Sequence, residues 1–243
     1  MTATRANAET PTPVALVTGA SRGLGRALAT SLARRGWHVV VDGRDAPRLA
    51  EAVRDMPAPH AVTVVPGDVA DPDHRRELAH AVGQAGGLDL LVNNASVLGP
   101  SPQPRLADYP LDALERVYAV NVLGPLGLLQ LVLPQLRRRG GRVVDISSDA
   151  AVEAYEGWGG YGSAKAALDQ LTAVVGVEHP QLRVYAFDPG DMATDLQQQA
   201  SPGEDISDLP APDSVVPALL RLVEGALPSG RYRAADLADT VPA

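Results

Sequence analysis

Cysteine is absent from the 243-residue chain, so it cannot supply a disulfide, a thiol nucleophile or a cysteine metal site. A reducing cytoplasm is the expected compartment. Lysine is almost absent: the 21 lysines and arginines include one lysine, Lys165. Positive charge is scarce overall, and a net charge of −8 argues against a general nucleic-acid binder. No apolar run approaches the roughly 20 residues that span a membrane. The few histidines are scattered. His74 and His80 are six apart and share no helix face, so no metal site is expected. The opening "MTATRANAETPTP" has no apolar block of the signal-peptide kind, and residues 1–12 read as a flexible polar lead.

What is present alternates. "VALVTG" (14–19) is a short Val-rich run, and "GLGRALATSLARRG" (23–36) follows it with Leu24, Leu28 and Leu32 at helical spacing. Further strands are expected at 37–43, 61–69, 88–96, 141–148, 182–190 and near 230–234. Helices are expected at 46–55, 71–86, 104–118, 120–139, 161–177 and near 213–226. Three arginines at 137–139 before two glycines read as the charged end of a helix. Apolar strands alternating with helices imply an α/β fold: a doubly wound parallel sheet of about seven strands, covered on both faces. Residues 13–243 show no composition break that would divide them. In such a sheet ligands bind beyond the carboxyl ends of the strands, so informative residues should follow the strands.

They do. "TGASRGLG" (18–25) puts Gly19, Gly23 and Gly25 in the first strand-to-helix turn. Such a turn needs positive φ values and close backbone approach, and a helix N-terminus there attracts a pyrophosphate. Asp68 ends the third strand, where it could accept from an adenine amino group. Asn93 and Asn94 end the fourth, and Ser147 and Ser148 the fifth. Asp42 and Asp145 read as local hydrogen-bond acceptors. Tyr161 and Lys165 are four apart on a predicted helix, hence on one face. A phenol titrates near 10, and a neighbouring ammonium favours its anion. Lysine is a compact, flexible point charge where arginine is a wide planar fork, which explains a lysine in a chain that otherwise uses arginine.

The set TGxxxGxG at 18–25, NNA at 93–95, Asn121, Ser148, Tyr161 and Lys165 resembles the short-chain dehydrogenase/reductase family, over about residues 13–235. The resemblance implies Tyr161 as proton donor or acceptor and Ser148 as holder of the substrate oxygen. Lys165 would bind the nicotinamide ribose and depress the tyrosine pKa, and Asn121 would hold a water linking Lys165 to solvent. It implies a cofactor cleft formed by Gly19, Ser21, Arg22, Gly23, Leu24 and Gly25. Arg44, Asp68, Val69, Asn94 and Ala95 would continue it, with Pro189, Gly190, Met192 and Thr194 from "DPGDMAT" (188–194). Two departures are visible. Ser96 stands where the family usually has glycine, and the C-terminal segment lacks the common Asp-Gly-Gly ending.

The function implied is hydride transfer between nicotinamide and a ketone or secondary alcohol, as in a ketoreductase. The alternative is a non-redox member of the fold, either a cofactor sensor or an enzyme using the tyrosine for elimination or cyclisation. Cofactor choice depends on the turn "VVVDGRDAPRL". Counting back from Leu49 puts Gly43 at the family's acidic position and Arg44 at its basic one, with Asp42 turned away from the ribose. Arg22 is a second basic candidate. NADP(H) is therefore expected over NAD(H). Substrate walls are expected from Val97, Leu98, Glu153, Tyr155, Trp158 and Met192, which suits a cyclic or aromatic, mostly apolar small molecule. A lid is expected at 195–212. The apolar helices at 104–139 and 161–177 point to a homodimer or homotetramer, with no nucleic-acid or membrane partner.

Overall fold

The strands form on short extended runs, most of them rich in Val and Leu. In the computed structural model, which describes residues 11–58 and 61–238, these runs are β1 (Val14–Val17), β2 (His38–Gly43), β3 (Val62–Pro66), β4 (Leu90–Asn93), β5 (Arg142–Ile146), β6 (Arg183–Asp188) and β7 (Gly230–Arg233). They make one parallel sheet in the order β3-β2-β1-β4-β5-β6-β7. The order reverses between β1 and β4, which opens a crevice at their carboxyl ends.

Strand alternation divides the core in two. Ala15, Val17, Val39, Val41, Val92 and Phe187 face a layer made by α1 (Gly23–Arg34), α2 (Ala46–Arg54) and α8 (Val216–Glu224). Val14, Leu16, Val40, Leu91, Val143 and Val184 face α3 (Pro72–Gln84), α5 (Gly124–Arg139) and α6 (Gly159–Glu178). Both faces of the central strands are covered, so β1 and β4 are buried along their whole length. Leu28 and Leu128 are almost completely buried on opposite faces, and truncating either to alanine would cost about 2–5 kcal/mol.

Helix ends follow local chemistry. Asp45 and Asp71 cap α2 and α3, each accepting a backbone N–H, and a proline lies in the first turn of both. Arg137, Arg138 and Arg139 close α5 before Gly140 at φ 59°, as the sequence implies.

Three elements differ from the expectation. The pair of helices expected at 104–118 and 120–139 is one helical run, α4 (Leu111–Tyr118) continuing through a π-helical turn (Ala119–Leu123) into α5. The run is apolar on most of its sides, so the phase shift that a π turn introduces leaves no visible break in the sequence. This 29-residue run is long and apolar enough to cross a membrane, although half of its most apolar window is buried in the fold. Part of the expected lid is helical, as α7 (Asp195–Ala200), and a short α9 (Ala234–Ala238) follows β7. The expected polar lead lies outside the described residues except for residues 11 and 12.

Candidate active site

Beyond the carboxyl ends of β1 and β4 runs a cleft lined by the turns after most of the strands. Its floor is set by glycine geometry. Gly19 and Gly23 take φ of 67° and 55°. A Cβ on Gly19 would lie 2.9 Å from the Ala95 Cα, so the turn accepts only glycine there. Thr18 Oγ1 accepts from the N–H groups of Asn94 and Ala95 at 2.9 and 3.0 Å, and Asn94 Nδ2 donates to the carbonyls of Thr18 and Gly19. The β1 and β4 turns are thus locked together.

Gly19, Ser21, Arg22, Gly23, Leu24, Arg44, Asp68, Val69, Asn94 and Ala95 all line the cleft as anticipated, with Pro189, Gly190, Met192 and Thr194 at its far end. Gly25 is an exception. It packs against Asn94 and the Gly19 carbonyl, where a Cβ would come within 2.4 Å, so it serves close packing rather than the cleft. Asp68 is half-committed: Ala70 N–H donates to it at 2.9 Å and Arg116 pairs with it. Burial pushes its carboxyl up, but these partners outweigh that and hold it below the usual range. Arg22 is also engaged. Together with Arg48 it grips Asp195, the first residue of α7, which ties the α7 segment across the cleft to the cofactor side. Thr194 caps α7, its hydroxyl accepting from Gln197 N–H at 3.2 Å.

The register at the end of β2 is resolved. Asp42 pairs with Val65 across the sheet and is 1% exposed. It accepts from Gly19 N–H at 2.6 Å and contacts His74 Nε2 at 3.2 Å. One oxygen thus meets Gly19 and the other His74, while Asp42 is also among the residues lining the cleft. Arg44 lies on the cleft wall with no hydrogen bond or ion pair among the described residues.

The other end of the cleft lies beside β5 and α6. Ser148, Tyr161 and Lys165 line the same part of the cleft. Lys165 is 2% exposed, its Nζ donates to the Ile146 carbonyl at 2.7 Å, and it stands 5.5 Å from the Tyr161 ring centre. Burial pulls the ammonium down to about 8, against the attraction of Asp169 and Asp145. Beneath it Asp145 accepts from Asn93 Nδ2 and the Thr172 hydroxyl, both at 2.6 Å.

The expectation that Lys165 depresses the phenol is not met. Burial pushes Tyr161 well above its usual value, Ser96 opposes this, and Asp149 and Asp188 add to the rise. The lysine charge is directed at the Ile146 carbonyl rather than at the phenol oxygen. Ser148 Oγ donates to Asp149 at 2.9 Å and accepts from Ala150 N–H at 3.2 Å. Asn121 sits inside the π turn, but its amide is used on Val97, with both bonds at 2.9 Å, and does not line the cleft as a water holder would. Ser96 Oγ donates to the same Asn121 oxygen at 3.3 Å.

Of the expected substrate walls, Val97, Leu98, Trp158 and Met192 face the cleft. Glu153 and Tyr155 do not. The Tyr155 hydroxyl donates to Glu153 at 2.7 Å and lies 3.1 Å from Asp149, which holds both side chains at the outer rim. Trp158 packs edge-on between Tyr155 and Tyr161. Sequence reasoning missed Asp149 and Asp191 at the cleft, and Arg48 behind Asp195, which lies in the stretch expected beside it. The "DPGDMAT" motif held the signal for Asp191. Arg231 of β7 ties the Ser148 carbonyl to Asp188 and Asp169, in the segment that departs from the family's ending.

Known proteins share this arrangement. Residues 13–205 match the family model described as short chain dehydrogenase. The 2-(R)-hydroxypropyl-CoM dehydrogenase of Xanthobacter autotrophicus is 37% identical over 190-odd residues, covering 76% of each chain. The crystal structure of the KRED1-Pglu enzyme superimposes with a TM-score of 0.81 at 31% identity, over 91% of this chain and 100% of that one. A short chain dehydrogenase from Shigella flexneri, complexed with NADP, gives 0.85 at 26% identity over 92% and 97%. The match spans the glycine turn, the sheet and the Tyr161–Lys165 helix alike, and places this chain in the short-chain dehydrogenase/reductase family as an NAD(P)-dependent oxidoreductase.

Proposed function

We propose that the protein is an NADPH-dependent ketoreductase acting on a neutral, mostly apolar ketone or its secondary alcohol, with Tyr161 as the acid–base group. The observation that carries the cofactor choice is the end of β2. Each Asp42 oxygen already has a partner, Gly19 or His74, and the side chain is 1% exposed, so it competes poorly for a free ribose 2′-hydroxyl. Arg44 stands on the cleft wall with no hydrogen bond or ion pair among the described residues, able to make a charge-assisted bond to a 2′-phosphate. The glycine turn suits a pyrophosphate because Gly19 and Gly23 line the cleft at the N-terminus of α1, where backbone N–H groups and the helix dipole favour an anion.

The bound nicotinamide supplies the hydride that converts a carbonyl carbon to a carbinol. The protein's part is acid–base and positional. Tyr161 gives its phenolic proton to the carbonyl oxygen as negative charge develops there, and Ser148 donates a second hydrogen bond to that oxygen. For this Ser148 must turn from Asp149. A raised phenol is protonated at neutral pH, which suits a donor in the reductive direction. Tyr161 is left as a phenolate, whose charge the Lys165 ammonium 5.5 Å from the ring centre would offset while holding the ribose side of the cleft.

The walls support the substrate class. Leu98, Trp158 and Met192 are joined by Leu196 of α7, and the nearby ionic groups, Asp149 and Asp191, are acidic. Burial, then Asp149 and Asp188, push Asp191 upward, as mutual repulsion among carboxylates requires. A cyclic or aromatic ketone without a carboxylate or phosphate fits these walls best. The test is kcat/KM for NADPH and NADH with a panel of such ketones, in the parent and in Arg44→Ala. NADPH should be preferred, and the variant should lose most of that preference through KM. A parent that prefers NADH, or a preference unchanged in Arg44→Ala, would refute the cofactor assignment.

A further inference from the structure

Behind the adenosine end of the cleft lies a buried carboxylate–histidine contact that the hydride-transfer chemistry does not use. Asp42 ends β2 and His74 lies in the first turn of α3; they are 1% and 4% exposed. One oxygen of Asp42 takes the Gly19 N–H at 2.6 Å and the other meets His74 Nε2 at 3.2 Å. The imidazole is seated on Gly67, where a Cβ would fall 2.2 Å from Nδ1, so a side chain at 67 would evict it. Gly67 itself lines the cleft, with the histidine on its far side. A single carboxylate therefore joins the turn after β1, the end of β2 and the start of α3.

We propose that Asp42 and His74 act as a positioning couple for the cofactor, fixing the Gly19 turn from below and keeping the buried charge under the adenosine end of the cleft balanced. Gly19 must hold φ at 67° for the turn to form. Its N–H is anchored inward on Asp42, so the turn is fixed before any ligand arrives, and a preorganised turn loses less on binding. Without a cation beside it, the Asp42 carboxylate would be a buried negative charge close to where a polyanion must lie.

His74 supplies that cation. Burial pulls the imidazole down, but the bond to Asp42 and its charge, with Glu77 behind them, reverse this and leave it above its usual value. Burial raises Asp42 in turn, against its bonds to His74 and Gly19. The other charges facing the pair are Glu77 of α3, 3.7 Å from Nδ1, and Asp68 of the β3–α3 turn, itself held by Arg116 and influenced by Arg44. The positive charge is present below about pH 6.5 and is lost as pH rises through the raised value. Asp42 is then unbalanced. Cofactor affinity should fall, and more for NADPH than for NADH, because the extra phosphate carries charge to this end.

The inference rests on the nicotinamide-cofactor reading, which binding of NADPH to the parent tests by itself. The experiment is calorimetric titration of full-length protein with NADPH and with NADH between roughly pH 6 and pH 9, alongside thermal melts, for the parent, His74→Gln and Asp42→Asn. His74→Gln keeps a donor toward Asp42 without the charge. It should bind NADPH about tenfold more weakly at the acid end and lose the pH-dependence that the parent shows in excess of it. Asp42→Asn keeps an acceptor for Gly19 without the charge, and should bind with the same flat profile. In His74→Gln the loss should fall on Kd and on KM for cofactor, and much less on kcat at saturation. If the parent's pH profile matches that of His74→Gln, or the variants melt lower yet bind as the parent does, the couple is merely structural and the inference is wrong. Failure of Asp42→Asn to fold leaves His74→Gln to decide. A parent that binds neither cofactor at any pH overturns the inference together with the reading beneath it.

Discussion

Replacing the solitary lysine by methionine should make protein stability respond to pH in a way that identifies where that lysine sits. Burial holds the Lys165 ammonium at about 8, against an ordinary 10.5. At 1.36 kcal/mol for each pKa unit, the gap is worth about 3 kcal/mol. The sign follows from proton counting. Between about 8 and 10.5 the unfolded chain keeps the lysine proton while the folded chain has lost it. The unfolded state then binds more protons, so stability from this group rises with pH. Lys165→Met carries no such term. Its stability relative to the parent should therefore fall by about 3 kcal/mol from near pH 7 to near pH 10.5, or on the order of 10 °C in Tm for a chain of this size.

The unbonded Ile146 carbonyl and the altered packing move this difference by a constant and leave its slope alone. Composition favours the measurement, because the chain has no cysteine and no other lysine to titrate in the window. Lys165 is not among the groups that move Tyr161, so tyrosine ionisation cancels between the two proteins. Urea unfolding followed by circular dichroism across the range gives the difference directly. A flat difference would show that Lys165 carries an ordinary pKa in the folded protein, and the account of its burial would be wrong. The methionine variant should also be inactive at every pH.

Tyr161→Phe should leave the fold and NADPH binding intact and lower kcat about 10²–10⁴-fold, because only the transferable proton is removed; steady-state kinetics at saturating cofactor checks this, and a parental kcat would refute the mechanism. Asp195→Asn releases Arg22 and Arg48 from α7, so hydrogen exchange across residues 195–212 should quicken in the free protein and be suppressed again by cofactor with a substrate analogue. Exchange unchanged by both the substitution and the ligands would rule out a lid tethered in this way. Light scattering at micromolar concentration should give a homo-oligomeric mass, since Leu123, Leu131, Val174 and Val177 remain exposed on the π turn, α5 and α6; a monomeric mass would refute it.

The legible part of this protein is the part set by local periodicity and local sterics. Strand runs, the glycine turn and the Tyr161–Lys165 spacing depend on residues a few positions apart, and the sheet follows from their alternation with helices. The π turn around Asn121 escaped, because a helix apolar on most of its sides shows no shift of its stripe when one residue is added. Glu153 and Tyr155 were misplaced for a related reason. Their position between Ser148 and Tyr161 carries them past the cleft, but the carboxylate of Asp149 draws the Tyr155 hydroxyl to the rim. Spacing shows that a side chain must pass a site, and hydrogen bonding decides which way it turns.

Electrostatics was the least legible, because it depends on pairs far apart in the chain. The spacing of Tyr161 and Lys165 suggests a depressed phenol, yet burial raises it, and Asp149 and Asp188 raise it further. A charge at i+4 lowers a pKa only if its ammonium reaches the titrating oxygen, and here the ammonium reaches the Ile146 carbonyl instead. Asp42 shows the same division. Alternation along β2 tells which way its carboxylate points, but its partner His74 lies 32 residues away on a different helix. The adenosine end of the cleft thus owes its position to strand geometry, and its charge to a pairing that only the fold creates.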